Sequence, residues 1–382
     1  MTLPKVRSYD SGVSESDLPP LFDRWAGAFL PGPIPRETLA TCSDCAMGCP
    51  KNSREVTPED LYFDLSVKCC SYIPSLSNFQ VGRILGDQDP AMAEGRASTE
   101  KRLAAGHEVL PLGIRSSAAE DEAYAKVVRD RRFGRAPEHR CPHYVDREGG
   151  LCGIWRHRPP SCVTWFCRFV RGRTGARFWQ SMRHLLQYLE LELREWCVAE
   201  IGLETEAYRH LFGIHRSAAD SKDRLSEEER RRAWGSWLGK EREFYRECGR
   251  LADGLSWAQI AEIGGPRLRP LLAIVRDSYA ELVSEKMPAQ IFYGKFSGSS
   301  LDTGVVRLWG TSKYHPVELS LQAFQALLPL TSGTPEEVRA QFERAGGEPF
   351  GLDQVRLLLD LGILAEEEAP QAEGPREEPP VA

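Results

Sequence analysis

The sequence predicts a mostly α protein carrying an irregular, metal-stapled cysteine-rich domain and ending in a small α+β module. Three observations carry that expectation. Nine of the eleven cysteines lie between residues 42 and 167. From Phe178 onward, apolar residues recur at three- and four-residue steps, the period of a helix with one buried face. Beyond residue 289, short β-branched and aromatic runs alternate with glycine and then give way to capped helical segments.

Residues 1–40 are rich in Pro, Ser and Gly and read as an irregular lead-in. Residues 41–175 form the cysteine-rich domain, with few long periodic segments and many turn signals, and Asn78–Leu85 is its best local helix candidate. Residues 176–288 form a helical domain. Its first helix carries Phe178, Met182, Leu185, Leu186, Leu189, Leu193, Trp196 and Cys197 on one stripe. A second is expected from Ser226 to about Leu251, where Ser226 and Glu229 make a capping box. A third follows Pro266, through Leu271, Leu272, Ile274, Val275, Tyr279 and Leu282. In residues 289–365, Gln290–Tyr293 and Val305–Trp309 read as strands, followed by helices at 320–328, 334–345 and 351–361. Thr334-Pro335 supplies a capping hydroxyl and a proline at the first helical position. Residues 366–382 have no apolar anchor and are expected to be a disordered acidic tail.

The cysteine spacing is that of ligands. Cys42, Cys45 and Cys49 form a C-x2-C-x3-C run, in which two intervening residues let both sulfurs meet one tetrahedral ion. Cys69 and Cys70 are adjacent and project in different directions, so one can serve a second centre or remain a spare thiol. Cys141, Cys152, Cys162 and Cys167 follow, separated by glycine and proline turns. Disulfide frameworks belong to short secreted chains, and the first twenty residues lack the features of an export signal. Cys197 and Cys248 lie on apolar helix stripes and read as small core residues. Thiolates suit zinc and iron–sulfur clusters alike, so the cofactor is expected to be zinc or an iron–sulfur cluster, 4Fe–4S first.

The run Cys152-Gly-Ile-Trp-Arg-His-Arg158-Pro159-Pro-Ser-Cys162, with Cys141 before it and the Cys69-Cys70 pair, resembles the YkgJ-like CxxCxxCC cysteine-cluster family. Its members are similar to C-x2-C-x2-C-C followed by C…C-x-I-[YF]-x-x-R-P-x-x-C. The second half matches at Cys141, Cys152, Ile154, Trp155, Arg158, Pro159 and Cys162. The first half departs, because the Cys-Cys pair is displaced to 69–70 by an insertion that holds Cys49. The resemblance implies a zinc- or iron-chelating domain over residues 42–167. One branch of that family, the flagellin lysine N-methylases, modifies proteins.

Four thiolates around Zn²⁺ or a 4Fe–4S core leave about two negative charges to be compensated. Arg156, Arg158, Arg168, Arg171 and Arg173 are the candidates, Arg158 above all. Amides of the Gly149-Gly150 and Gly153 turns are expected to bond the sulfurs. His139, His143 and His157 lie nearby but are left out of the ligand set. Lys126–Arg177 holds thirteen Lys/Arg against four Asp/Glu. Interleaved aromatics permit nucleic-acid binding there, but charge compensation is the preferred reading in a chain of net charge −6.

The module at 303–365 reads strand, turn, Leu319-Ser320 helix start, Glu336-Glu337-Val338 and Leu358-Leu359-Asp360-Leu361-Gly362-Ile363-Leu364. It is similar in outline to a small winged helix, including the peptide-binding domains of peptide-modifying systems. The leading expectation is a cytoplasmic cysteine-cluster metalloprotein that recognises or acts on a polypeptide. A cluster-dependent protein-modifying enzyme and a non-catalytic zinc-stapled interaction or nucleic-acid-binding protein are the alternatives. No stretch approaches the ~20 apolar residues of a membrane span, and no phosphate loop, GxSxG or HExxH motif is present.

Overall fold

The computed structural model describes residues 17–43, 45–49, 62–147, 149–216, 225–300 and 304–367. The acidic tail expected at 366–382 lies outside them beyond residue 367. The described chain is about half helical, with small and mainly antiparallel sheets. The helices are α1 Pro20–Phe29, α2 Asn78–Gly86, α3 Ala93–Ala105, α4 Ala118–Arg129, α5 Pro160–Val163, α6 Gly172–Glu200 and α7 Thr205–Arg216. They continue with α8 Glu227–Trp234, α9 Glu241–Gly254, α10 Trp257–Gly264, α11 Leu268–Val283, α12 Leu321–Leu327, α13 Pro335–Arg344 and α14 Leu352–Asp360. No helix among the described residues is long and apolar enough to cross a membrane.

One apolar core runs from Leu18 to Leu282 and joins segments from the lead-in, the cysteine region and the helical middle. Helix α6 is its spine, and the stripe read from the sequence is the buried one, from Phe178 to Cys197. Helix α2 lies beneath it with both faces covered: Phe79, Val81, Ile84 and Leu85 are buried, as are Asn78 and Gln80. Such enclosure requires small residues where helices cross. A Cβ on Gly82 would sit 1.7 Å from the Tyr245 carbonyl oxygen of α9, and one on Gly249 would meet the Arg83 amide at 2.8 Å.

Two expectations are corrected. Residues 20–29, read as part of an irregular lead-in, form α1, whose Leu21, Phe22, Trp25, Ala26 and Phe29 are buried. Pro20 at its first position masked the periodicity while being well suited to start a helix. The single helix expected over 226–251 is two, α8 and α9. Gly235 and Gly239 adopt left-handed φ of 50° and 84°, which breaks the helix and turns Trp234 against Phe244 and Tyr245.

The C-terminal segment has its own core, built from Ile291, Leu308, Val338, Phe342, Val355 and Leu358 among others. Short strands serve the cysteine region: β1 Gly48–Cys49 pairs with β2 Phe63–Asp64 in parallel, β3 Leu76–Ser77 and β4 Val109–Leu110 flank β5 Gly113–Ile114, and β6 Tyr144–Val145 pairs with β7 Leu151–Cys152. In the C-terminal segment, β8 Phe292–Tyr293 pairs with β12 Leu364–Ala365, and β10 Val305–Trp309 lies between β9 Ser297–Ser300 and β11 Val317–Ser320. Arg171, just before α6, fastens this segment to the rest. Its Nε donates to Asp360 at 2.9 Å and its Nη1 donates to the Leu282 carbonyl at 2.6 Å. Breaking such a buried pair from one side costs about 3–5 kcal/mol.

Replacing Gly82 by Ala forces α2 and α9 apart and is expected to destabilise the protein by at least about 3 kcal/mol. Urea unfolding followed by far-UV circular dichroism measures this; an unchanged midpoint would contradict the close crossing.

Candidate metal centre

Loops hold the cysteines, and a few backbone bonds hold the loops. Gly48 N donates to Cys45 O at 2.8 Å, curling the first run. Cys49 lies in β1, and its side chain is outside the described residues. Cys70 N donates to Val67 O at 3.0 Å, and Cys141 N donates to Cys70 O at 2.7 Å, joining the first and second cysteine segments. Cys152 pairs with Tyr144 across β6 and β7. Pro159 is extended and Pro160 starts α5, the single turn that carries Cys162. Cys167 is buried with Met47 and Phe63, packed by Cys45 and Cys69.

The sequence-predicted thiols come together. Cys152 opposes the ionisation of Cys141, and Cys141 and Cys152 oppose that of Cys162, with Cys69 and Cys70 beside them. Cys45, Cys69 and Cys167 form a neighbouring group, and Cys42 lies near both Cys45 and Cys152. Burial pushes Cys141 and Cys167 up to about 12 and lifts Cys45, Cys152 and Cys162 as well. Cys69 is the exception: a hydrogen bond from Cys70 holds it below the ordinary thiol value. Cys197 and Cys248 stay apart in the α6–α9 core, where the Cys197 thiol donates to the Cys248 carbonyl at 3.7 Å. All ten cysteines with described side chains are free. Among the described residues, no group of three or more His, Cys, Asp or Glu side chains is placed so that it could hold a metal ion.

Three cysteines share a local device. The amide two residues on is aimed at the sulfur: Met47 at Cys45, His143 at Cys141 and Ile154 at Cys152, each favouring the thiolate. The glycine amides expected in that role are used elsewhere. Gly150 N donates to Arg147 O and Gly153 N to His143 O, both at 2.8 Å. Local i to i+2 geometry follows from a turn after each cysteine, which composition alone does not reveal.

Arg158 sits among the sulfurs. Burial opposes its charge, but Cys42, Cys152, Cys162 and Cys70 outweigh that and hold it above its usual value. Its Nη1 approaches Cys42 Sγ at 3.9 Å, and its buried Nε has no hydrogen-bond partner. The other expected arginines divide differently. Arg168 lies near Cys167, whereas Arg156 pairs with Asp89 at 2.7 Å and Arg171 with Asp360. Two further cations were missed. Arg102, on α3, faces Cys141, and Lys68 faces Cys45 and Cys69. Lys68 is buried, with a left-handed φ of 51°, and its Nζ donates to the carbonyls of Cys42 and Gly150. A lone lysine before a Cys-Cys pair carries no sequence signal of that role.

No protein-family model, no curated protein and no solved structure matches this chain. The residues and their geometry therefore carry the functional argument.

The histidines hold structure around the thiols. His143 Nδ1 lies 2.8 Å from Ser98 Oγ, and His139 stacks on Tyr124. His157 Nε2 lies 2.9 Å from Asp87 Oδ2. Burial, with Arg83 nearby, lowers His157 to about 4 despite that carboxylate. Its folded value lies below the unfolded value of about 6.5, so the unfolded chain binds the proton more readily between those limits. Stability is therefore lost as pH falls from about 6.5 to 4. Replacing His157 by Gln keeps a donor for Asp87 but removes the titration. The drop in urea midpoint between pH 7 and pH 4.5 should be smaller in H157Q than in the parent; an equal drop would count against it.

Proposed function

We propose that residues 42–167 bind a metal centre, zinc or an iron–sulfur cluster with 4Fe–4S first. The ligands are drawn from Cys42, Cys45, Cys49, Cys69, Cys70, Cys141, Cys152, Cys162 and Cys167, with Arg158 as the charge-compensating residue. The observation that carries this reading is the repeated sulfur-directed amide at Cys45, Cys141 and Cys152 within a cluster of thiols that encloses Arg158. A purely apolar role for the cysteines gives no reason to set a half-buried guanidinium among them, because a charge drawn out of water is costly. A bound centre supplies the positive charge that turns raised thiols into thiolates, so binding releases protons. Arg158, Arg102 and Lys68 then offset the excess negative charge of the ligand shell. The resemblance of Cys141, Cys152, Ile154, Arg158, Pro159 and Cys162 to the CxxCxxCC pattern is in keeping with that reading.

A stapling role accompanies binding. The small cluster of Met47, Phe63 and Cys167 is a meagre core for the loops around it, so the ion contributes folding energy there. Free thiols suit a reducing compartment, and we place the protein in the cytoplasm. We assign the C-terminal segment to a winged-helix-like module, on the order β9–β10–β11 followed by α12 to α14. Its partner is taken to be a polypeptide. Nucleic acid is disfavoured because the chain as a whole is acidic and about half of the basic stretch is paired with carboxylates, as at Arg132–Glu138, Arg140–Asp146, Arg147–Glu94 and Arg156–Asp89.

Replacing Cys152 by Ser should lower bound metal by half or more and make residues 41–175 sensitive to limited proteolysis. Arg158→Lys keeps the charge but loses the planar fork and should speed metal loss to a chelator. Cys197→Ala should leave metal content unchanged. Metal analysis of the purified variants decides: unchanged stoichiometry in C152S would defeat the assignment.

A further inference from the structure

Away from the thiols, a cavity of about 60 Å³ opens where α6 passes the β3–β5–β4 sheet. Its polar wall is formed by Ser77, Arg115, Glu190 and Arg194, and its apolar wall by Leu110 and Leu112. Several of these polar atoms are buried and unmatched. Arg115 Nε, Arg194 Nε and Glu190 Oε1 have no hydrogen-bond partner, nor has Nε2 of the adjacent Gln80. Buried polar groups are nearly always bonded, so this concentration of exceptions points to something that fills the space.

The exceptions have a pattern. On one side are two guanidinium groups. Arg115 is paired through Nη2 with Glu108 at 2.6 Å, which leaves its Nε free to donate. Burial holds Arg194 down, Glu195 and Glu190 favour its charge, and the like charge of Arg115 opposes it. An anion between them relieves that repulsion. On the other side are acceptors. Ser77 Oγ donates to Gln80 Oε1 at 2.9 Å and accepts from the Gln80 amide in the capping box of α2, which leaves it one lone pair. Burial opposes the charge of the Glu190 carboxyl, while Arg194 and the side chains of Ser77 and Gln80 favour it. A cation placed at Oε1 would complete it. Room for one water takes about 10–15 Å³ of such space, so the cavity holds roughly four to six atoms of that size. Water satisfies single polar atoms but brings no charge to either side.

We propose that this cavity binds the head group of a small free α-amino acid, its carboxylate between Arg115 and Arg194 and its ammonium at Glu190 and Ser77. Glycine, with five heavy atoms, fits the volume; the methyl of alanine would meet the leucine wall. The site is separate from the thiols and stands or falls independently of metal binding.

Saturation-transfer NMR and equilibrium dialysis on the full-length, anaerobically purified protein test the assignment, with glycine, L-alanine, acetate and methylammonium as probes. Glycine or L-alanine should bind saturably, at least tenfold tighter than acetate or methylammonium. Glu190→Gln should weaken that binding at least tenfold while metal content and circular dichroism stay as in the parent. Arg194→Gln serves as a second variant should the first fail to fold. Absence of saturable glycine and alanine binding at millimolar concentration would overturn the proposal. Acetate binding as tightly as glycine and indifferent to Glu190→Gln would overturn it too, leaving a plain anion site.

Discussion

Burial of many thiols around one guanidinium is the constraint to which the cysteine region answers. Burial holds the protons on Cys141 and Cys167, and Arg158 is the one guanidinium among Cys42, Cys70, Cys152 and Cys162. The loops are arranged around that imbalance. Lys68 takes a left-handed backbone so that its ammonium reaches the carbonyls of Cys42 and Gly150. Amides of Met47, His143 and Ile154 turn toward sulfur instead of toward a helix or sheet partner. The strands among these loops are two residues long.

Rigidity comes from elsewhere. Helices α2, α6 and α9 pack around Phe79, Phe178, Trp179 and Phe244, and full burial of such a side chain is worth about 1.5–3 kcal/mol. Two polar anchors carry that rigidity to the loop after Cys167. Glu37 accepts from Val170 N at 2.6 Å and from Trp179 Nε1 at 2.8 Å, and burial raises it to about 7. Arg171 binds Asp360 and the end of α11. The chain leaving the thiols is thus pinned on both sides before α6 begins. The C-terminal segment reaches back as well: Arg168 Nε donates to the Tyr314 carbonyl at 3.1 Å, and the Tyr314 ring packs on Phe63 and Trp165.

Long periodic elements were legible because their period outlasts local noise. The α6 stripe, α11 and the capped start at Thr334 were read from residue type and spacing alone. The break at Gly235 was not, because apolar residues continue on both sides and only a left-handed φ reveals the turn. The electrostatic partners of the thiols were read in part: Arg158 was found through its Arg-Pro step, whereas Arg102 and Lys68 lie far from it in sequence and arrive by tertiary packing. The sulfur-directed amides depend on turn geometry after each cysteine, and the glycines that suggested such donors use them to close their own turns. The cavity beside Glu190 gives no sequence signal, since its residues come from α6, the start of α2 and the strand region near Arg115.

The central claim is that the thiols of residues 42–167 serve a metal. Anaerobic purification of the full-length protein, with zinc, iron and acid-labile sulfide quantified beside a visible absorption spectrum, tests it most directly. The account predicts tightly held metal: iron and sulfide in equal amounts with a broad charge-transfer absorption, or colourless protein holding zinc. Protein that folds with neither zinc nor iron, and whose cluster cysteines all react as free thiols, would contradict it.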